Sequence, residues 1–257
     1  MNVNQKKHII TDLAEIVGNS HIITTDWKMY PFSKGWRFGE GQAIAVVKPG
    51  KLIEIWKLLE VCVKHDLIII MQAANTGLTG GSTPFGHNYD RKVLIINTLR
   101  INDIHIINNG RQIVGLAGST LYNLENKLGP LKREPHSVIG STSVGASIVG
   151  GVCNNSGGSL VKRGPAFTEL ALYARINKNG KLELINELGI YLGSKPEEIL
   201  NNLENKNYKD SDIVNSQKLA SDNMYSSIVR EIDSETPSRF NSDLRLLNEV
   251  SGNAGKN

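Results

Sequence analysis

The chain has 257 residues, of which 40% are hydrophobic and 21% charged, with 25 glycines and only 6% aromatic side chains. This is the composition of an ordinary globular protein, and it excludes a disordered chain and a collagen-like repeat. The net charge of +4 is weakly basic and comes without a block of Lys or Arg, so we expect no nucleic-acid partner.

In the first part of the chain, residues 5–17 predict an amphipathic helix and residues 21–24 a short strand. Residues 26–41 predict a loop rich in glycine and aromatic rings, and we expect those rings to pack together rather than to stack on a ligand. A strand, an amphipathic helix and a second strand are then predicted at residues 43–48, 52–65 and 67–72. This order predicts a βαβ unit with a short crossover.

The rest of the chain alternates short strands with turns. Strands are predicted at residues 92–97, 104–107, 111–116, 170–177 and 181–186. Two Asn-Gly pairs, at Asn109 and at Asn179, mark hairpin turns. Helices are predicted at residues 120–128 and in the segment 219–257. The polar stretch 196–218 predicts either a helix with a surface loop or a partly mobile insertion. The pattern indicates an α+β protein in which a βαβ subdomain joins a second subdomain of mixed strands.

A segment of small residues follows the predicted strand at residues 67–72: residues 72–84 read QAANTGLTGGSTP. Small side chains let a ligand approach the backbone, and successive N–H groups form an anion-binding nest. The segment indicates a pyrophosphate cradle, with a plain glycine-rich turn as the alternative. It lacks the lysine of a P-loop, and Gly77, Gly80 and Gly81 do not have the spacing of a Rossmann fingerprint.

A second such segment, residues 136–159, carries almost no charge and few bulky side chains. A stretch of this kind packs against something large and flat, and a bound cofactor supplies such a surface. Two small-residue segments in one chain therefore suggest one extended dinucleotide held from two sides.

These two segments, in this order, resemble the FAD-binding domain of the vanillyl-alcohol oxidase/p-cresol methylhydroxylase (PCMH) superfamily. More narrowly, they resemble the respiratory, quinone-linked D-lactate dehydrogenase family of Gram-negative bacteria. The resemblance rests on residues 72–84, on 133–158 (REPHSVIGSTSVGASIVGGVCNNSGG) and on 163–176 (RGPAFTELALYARI), with further support from residues 36–38 and 236–241 (TPSRFN). It covers essentially the whole chain, and its central motifs are long and specific.

The resemblance implies a PCMH-type α+β fold of two subdomains, a βαβ unit plus a mixed or antiparallel sheet, with FAD between them. It implies FAD-binding residues in both segments, namely Ala73, Ala74, Asn75, Thr76, Gly77, Gly81, Ser82, Gly140, Ser147 and Gly157. It also implies oxidation of D-lactate to pyruvate with hydride transfer to the flavin, and electron transfer to a membrane quinone at the cytoplasmic face of the inner membrane. No catalytic residue and no metal ligand is assigned.

The same resemblance predicts the domain organisation. Residues 1–38 are expected to form an N-terminal helix and loop, residues 39–210 the PCMH-type FAD-binding domain, and residues 211–257 the start of a linker to a cap domain. Members of the resembled family continue into a cap and a membrane-contacting region. We therefore expect those parts to be absent here, as in a truncated gene product, a split gene or a cloned fragment. We also expect the 257-residue chain alone to be soluble and cytoplasmic.

Five further residues near the two segments each have a functional and a plainer interpretation. His87 is a candidate for covalent flavin attachment, although a loop histidine is usually solvated. Fixing of a turn is favoured for His136, and the role of a small hydrophobic residue for Cys153. Arg163, beside Lys162, is a candidate to bind an anionic flavin or a lactate carboxylate, or else it ends a strand in solvent.

The chain shows no sign of export, of a structural metal or of a membrane span. Its two cysteines, Cys62 and Cys153, are too few for a disulfide framework, and no metal-ligand spacing is present. Residues 1–18 lack an uninterrupted apolar stretch, and the longest apolar run, residues 67–71, is too short to span a bilayer. These features predict a cytoplasmic protein.

Three functions remain open at this point. The first is the FAD-binding part of a D-lactate dehydrogenase. The second is another FAD-dependent 2-hydroxy acid dehydrogenase, such as one acting on glycolate or D-2-hydroxyglutarate. The third is a non-catalytic fragment that binds flavin or assembles with a partner chain.

Overall fold

A computed structural model describes residues 3–137, 141–158, 161–214, 217–231, 233, 235 and 249–252 of the chain. The helices in these ranges are α1 (Val3–Val17), α2 (Asp26–Ser33), α3 (Leu52–Lys64), α4 (Leu121–Leu128), α5 (Ile148–Cys153), α6 (Pro196–Glu204) and α7 (Tyr225–Ile228). The strands are β1 (Ile22–Ile23), β2 (Ala45–Val47), β3 (Ile68–Gln72), β4 (Val93–Asn97), β5 (Ile104–Ile107), β6 (Gln112–Gly115), β7 (Leu172–Ile176) and β8 (Leu182–Asn186).

The first subdomain is built on a four-stranded sheet with the order β1-β2-β4-β3. Strands β2, β4 and β3 run parallel, and β1 pairs with β2 in the antiparallel sense. Helix α3 forms the crossover between β2 and β3, which confirms the predicted βαβ unit. All five residues of β4 are buried, as expected for a parallel strand that is covered on both faces.

The two faces of this sheet are covered by different helices. Leu94 of β4 packs with Leu13 of α1 and Leu58 of α3 in one apolar cluster. Ile95, the next residue along β4, packs on the opposite face with Met29 of α2. Because successive side chains of a strand point to opposite faces, the unbroken apolar sequence of β4 serves both layers.

The second subdomain contains two antiparallel hairpins, β5–β6 and β7–β8. Each hairpin turns at one of the predicted Asn-Gly pairs. The backbone φ angle is 53° at Asn109 and 74° at Gly180. Such left-handed residues suit tight hairpin turns. One face of each hairpin packs on an apolar cluster that also contains Trp56 of α3 and Leu203 of α6. Parallel and antiparallel sheets in two subdomains confirm the predicted α+β class.

The structure corrects the prediction for residues 26–41. Part of this stretch is helical, as α2, and it buries Met29 and Ser33. The aromatic rings do not pack together: Trp27, Trp36 and Phe38 are 72%, 66% and 64% exposed. The prediction of a packed aromatic cluster was therefore wrong for these three rings, whereas Phe32 is partly buried and packs against the apolar cluster that contains Met29.

Candidate functional site

The first small-residue loop begins where β3 ends, at Gln72. This glutamine is buried, and its Nε2 donates hydrogen bonds to Phe32 O at 2.9 Å and to Ser82 O at 2.7 Å. Asn97, which pairs with Gln72 across the parallel strands, donates from Nδ2 to Ala73 O at 2.9 Å. Both ends of the loop are thus fixed to the carboxyl edge of the first sheet, the edge at which ligands bind in many parallel sheets.

Two of the predicted FAD-binding side chains hold this loop in shape. Asn75 adopts a left-handed backbone conformation with φ 56°, and its Nδ2 donates to Lys34 O at 2.8 Å. Ser82 donates from Oγ to Asn75 Oδ1 at 2.8 Å. The side-chain contacts of Asn75 and Ser82 therefore lie within the protein, and what the loop offers a ligand is chiefly its backbone.

The backbone amides of the first loop are available to a ligand. The N–H groups of residues 74–77 donate no hydrogen bond to any residue that the structure describes, although these residues are only half exposed. Amides left without a partner in a partly buried position are costly unless a ligand or water accepts their hydrogen bonds. Successive free N–H groups of this kind form an anion site.

The second loop, by contrast, is tied up by its own hydrogen bonds. Ser147 is buried and caps α5, because its Oγ accepts a hydrogen bond from Gly150 N at 3.0 Å. A Cβ on Gly150 would lie 2.7 Å from that hydroxyl, so a larger residue there would require the Ser147 side chain to shift. Gly157 is half-buried at the far end of the loop. Gly140, the remaining predicted residue, lies outside the described residues.

The structure brings the two loops together. A Cβ placed on Gly145 lies 3.6 Å from Ala74 Cβ. A Cβ placed on Gly77 points between the loops, 3.9 Å from both Asn154 Nδ2 and Ser82 Oγ. The two segments, which are far apart in the sequence, therefore lie next to each other and meet through small residues. Backbone amides at such a place can donate hydrogen bonds to the oxygens of a diphosphate.

Asn155, in the second loop, is a candidate residue that sequence reasoning did not single out. It is 2% exposed and adopts a left-handed conformation with φ 48°. Neither its Nδ2 nor its Oδ1 has a hydrogen-bond partner among the described residues, which is uncommon for a buried amide. The Asn-Asn pair inside a stretch of glycine and serine was the available signal, since asparagine tolerates positive φ.

The other candidate residues are less well placed. His87 and Lys162 are exposed. Arg163 pairs with Glu134 and donates from Nη1 to Pro135 O at 3.2 Å, so its guanidinium is engaged within the protein. Burial raises the pKa of the Cys153 thiol, in keeping with the expected role as a small hydrophobic residue.

Two absences apply to the described residues. No group of three His, Cys, Asp or Glu side chains among them is arranged to hold a metal ion. Within the same part of the chain, no helix is long and apolar enough to cross a bilayer.

Free amides in a small-residue loop, next to a second small-residue loop, are the features of a dinucleotide-binding protein of the PCMH-type fold. Residues 43–183 match the family model of the FAD binding domain, and the chain belongs to that family. Its cofactor is accordingly FAD, as the resemblance implied.

Curated relatives match along almost the whole chain. Over 256 residues it is 54% identical to the quinone-dependent D-lactate dehydrogenase of Haemophilus influenzae and 53% identical to that of Escherichia coli. The enzyme of the same name from Corynebacterium glutamicum is 48% identical over 247 residues. These matches cover 96–100% of this chain but only 43–45% of the relatives, so the chain spans less than half of their length.

Solved structures support the fold alone. p-Cresol methylhydroxylase with substrate bound superposes with a TM-score of 0.57 at 12% identity, covering 86% of this chain and 43% of that one. Alkyldihydroxyacetonephosphate synthase also reaches 0.57, at 14% identity, covering 76% and 37% of the two chains. The predicted PCMH-type fold is confirmed.

Proposed function

We propose that the chain is the FAD-binding part of a quinone-dependent D-lactate dehydrogenase, which oxidises D-lactate to pyruvate. The observation that carries this proposal is the 53–54% identity along all 256 matched residues to two relatives of that name. Bound FAD supplies a hydride acceptor. For the whole protein, a membrane quinone is the proposed electron acceptor, and contact with the inner membrane surface is proposed through parts outside residues 1–257.

We propose that the cofactor is held chiefly through backbone groups. The amides of residues 74–77 bind the pyrophosphate, and the absent side chain of Gly77 leaves room for it. The full proposed set is Ala73, Ala74, Asn75, Thr76, Gly77, Gly81, Ser82, Gly140, Ser147 and Gly157. These residues lie in the proposed FAD-binding domain, residues 39–210, which follows an N-terminal helix and loop (1–38) and precedes the start of a linker to a cap domain (211–257).

Substrate chemistry needs groups that we do not assign among the described residues of this site. Oxidation of a 2-hydroxy acid requires a cation for the carboxylate and a base for the hydroxyl proton, and positioning and proton transfer each contribute orders of magnitude in rate. Arg163, the cation considered for the carboxylate, is paired with Glu134. We therefore propose that the carboxylate-binding group and the base come from polypeptide beyond the matched half of the relatives.

The cofactor proposal is tested by Gly77→Val. The added side chain stands beside the free amides where the two loops meet, near Asn154 and Ser82, so we expect the purified variant to retain no FAD. Thr79→Val is the matched control, because it places the same side chain at an exposed position of the same loop and should retain FAD. Flavin content is read from the absorbance of the protein and of the released cofactor. Stoichiometric FAD in Gly77→Val would show that the cradle lies elsewhere.

The activity proposal is tested by a steady-state assay of the FAD-loaded 257-residue chain with D-lactate and a soluble quinone. We expect turnover near background, and restored turnover when the remaining region of the Haemophilus influenzae relative is fused to it. The restored enzyme should prefer D-lactate to glycolate and D-2-hydroxyglutarate in kcat/KM. A preference for another acid would favour the second function considered above. Flavin binding without activity in the fusion would favour the non-catalytic one.

A further inference from the structure

The second subdomain has an open strand edge on its outer side, away from the cofactor loops. Strands β6 and β7 border a cavity of about 1420 Å³ between the hairpins, whereas β5 and β8 are the outer strands. On the β5 edge, the carbonyl oxygen of Ile104 accepts a hydrogen bond from Lys127 Nζ of α4 at 2.9 Å. That edge is therefore partly covered by a side chain, and the β8 edge has no such cover from a described residue.

The register of the β7–β8 hairpin shows which backbone groups lie on the β8 edge. Asn177 N donates to Lys181 O at 2.9 Å, and Glu187 N donates to Ala171 O at 2.8 Å, so both ends of the ladder are hydrogen-bonded pairs. Such pairs alternate with non-hydrogen-bonded pairs along an antiparallel ladder. The residues whose N–H and C=O groups point away from β7 are consequently Leu182, Leu184 and Asn186. No described residue pairs with these groups.

The surroundings of this edge leave room for another strand. A groove of about 660 Å³ runs along β8, and Trp56 and Glu60 of α3 also line it. Leu182 and Leu184 pack on the apolar cluster that contains Trp56, so Glu183 between them lies on the opposite face of the hairpin. An unpaired edge of this kind is a template for pairing with another chain.

The sequence of β8 is complementary to itself in one antiparallel register. With Leu184 of one chain opposite Leu184 of a second copy, Leu182 lies opposite Asn186, so all the free residues of the edge find partners. Each of these pairs exchanges two hydrogen bonds. The same register places Lys181 opposite Glu187, and opposite charges directly across a strand pair are favourable.

Charge disfavours the two neighbouring registers. A shift by two residues in one direction places Glu183 opposite its own copy, and a shift in the other direction places it opposite Glu187. Like charges directly opposite each other are destabilising, and either shift leaves one free residue of the edge unpaired. We propose that β8 pairs with β8 of a second copy of this chain in the register centred on Leu184, so that the two β7–β8 hairpins form one continuous sheet.

The dimer is tested by sedimentation velocity of the 257-residue chain between about 1 µM and about 500 µM, which spans moderate to weak affinities. We expect the sedimentation coefficient to rise with concentration. Lys181→Glu places an acid opposite Glu187 twice in the symmetric dimer, so it should raise the Kd at least about fivefold. Lys7→Glu makes the same change in net charge on the exposed side of α1 and should leave the Kd unchanged.

A charge swap separates the contact from a general effect of charge. Lys181→Glu/Glu187→Lys restores opposite charges across the interface, so it should associate more tightly than Lys181→Glu alone. Because Glu187 also pairs with Lys218 of its own chain at 2.8 Å, circular dichroism checks that the double variant is folded.

A disulfide experiment reads the register directly. The proposed pairing places Glu183 of one chain opposite Ile185 of the other in a non-hydrogen-bonded pair, with Cα atoms about 4.5 Å apart. A disulfide can bridge that separation. A mixture of Glu183→Cys and Ile185→Cys chains should therefore form the mixed disulfide at least about tenfold faster than either variant links to itself. Mass spectrometry of the linked peptides measures the rates.

Three results would each overturn the proposal. The first is a sedimentation coefficient that does not depend on concentration. The second is association that Lys181→Glu weakens no more than Lys7→Glu does, which would assign the dimer to another surface. The third is a mixed disulfide that forms no faster than the symmetric ones, which would exclude the register.

Discussion

The two subdomains differ in how completely their strands are paired. In the first, β4 lies between two partners and all of its residues are buried. In the second, β6 and β7 each have one partner and an edge on a cavity. The first loop rises from the paired sheet, which holds its free amides in place before a ligand arrives. Such preorganisation is what tight and specific binding requires.

The largest loss of unfolding free energy should come from a substitution in the core of the first subdomain. Leu94 is fully buried in β4, so Leu94→Ala should lower the free energy of unfolding by about 2–5 kcal/mol. Leu172 is partly buried and borders the cavity, so Leu172→Ala has fewer contacts to lose and should cost less than about 1 kcal/mol. Urea denaturation of both variants measures the difference. Equal losses would mean that the second subdomain is packed as tightly as the first.

The two cysteines allow a second comparison of how tightly the subdomains are packed, because each subdomain has one. Cys62 is fully buried, and burial raises the pKa of its thiol to about 12. Cys153 is half-buried on the cavity wall. Alkylation requires the thiolate form of the cysteine and access of the reagent to its sulfur. Because Cys153 is more exposed than Cys62, it should be alkylated at least about tenfold faster in the native chain. Mass spectrometry of the labelled peptides measures the alkylation rates. In urea the rates of the two cysteines should become similar. Faster labelling of Cys62 would contradict the comparison.

Acid should weaken the second subdomain first. His105 of β5 is buried, its Nδ1 lies 2.9 Å from Tyr208 Oη, and burial lowers the pKa of its imidazole. As the pH falls below the unfolded value of about 6.5, the unfolded chain takes up a proton that the folded chain does not, so stability falls. Above that pH the effect vanishes. His105→Phe should flatten the loss of unfolding free energy between about pH 7 and 5, measured by denaturant titration.

Tyr208→Phe is the control for this prediction. It removes the hydroxyl but keeps His105 covered, and burial is the main cause of the lowered pKa. The pH dependence should therefore persist in Tyr208→Phe. Its disappearance would assign the effect to the hydrogen bond instead.

The smallest change in unfolding free energy is expected for a contact within the first subdomain. Asp12 of α1 accepts hydrogen bonds from His65 Nε2 at 3.2 Å and Lys64 Nζ at 3.1 Å, and these contacts lower the pKa of its carboxyl group. This stabilisation is present above the unfolded pKa of about 3.9 and is lost as the pH falls through the lower folded value. Asp12→Asn should cost less than about 1 kcal/mol at neutral pH, and the difference from the parent chain should vanish in acid. A difference that persists there would point to packing rather than charge.

Local patterns were enough to predict most of the elements. The unbroken apolar run of β4 and the spacing of Leu52, Trp56 and Leu59 in α3 depend on neighbours in the sequence. The hairpins follow from Asn-Gly pairs, whose left-handed conformation is a local preference. Helix α2 was missed because Pro31 lies inside it and its apolar residues do not follow a helical period.

The site was predictable as two loops, but its assembly was not. Gln72 holds the first loop through Phe32, a residue 40 positions earlier, and no local pattern indicates that contact. The approach of Gly145 to Ala74 likewise depends on how the subdomains pack. The Ser147 cap, which satisfies the Gly150 amide within the second loop, also became visible only in three dimensions.

The positions of the three tryptophans give the chain a built-in optical readout. Trp27 and Trp36 are exposed to solvent, whereas Trp56 is 7% exposed in the cluster that α3 shares with both hairpins. A water-soluble quencher should therefore extinguish two indoles and spare the third. The emission that survives quenching comes from Trp56 alone, so its wavelength reports directly on whether the hairpins are seated on α3.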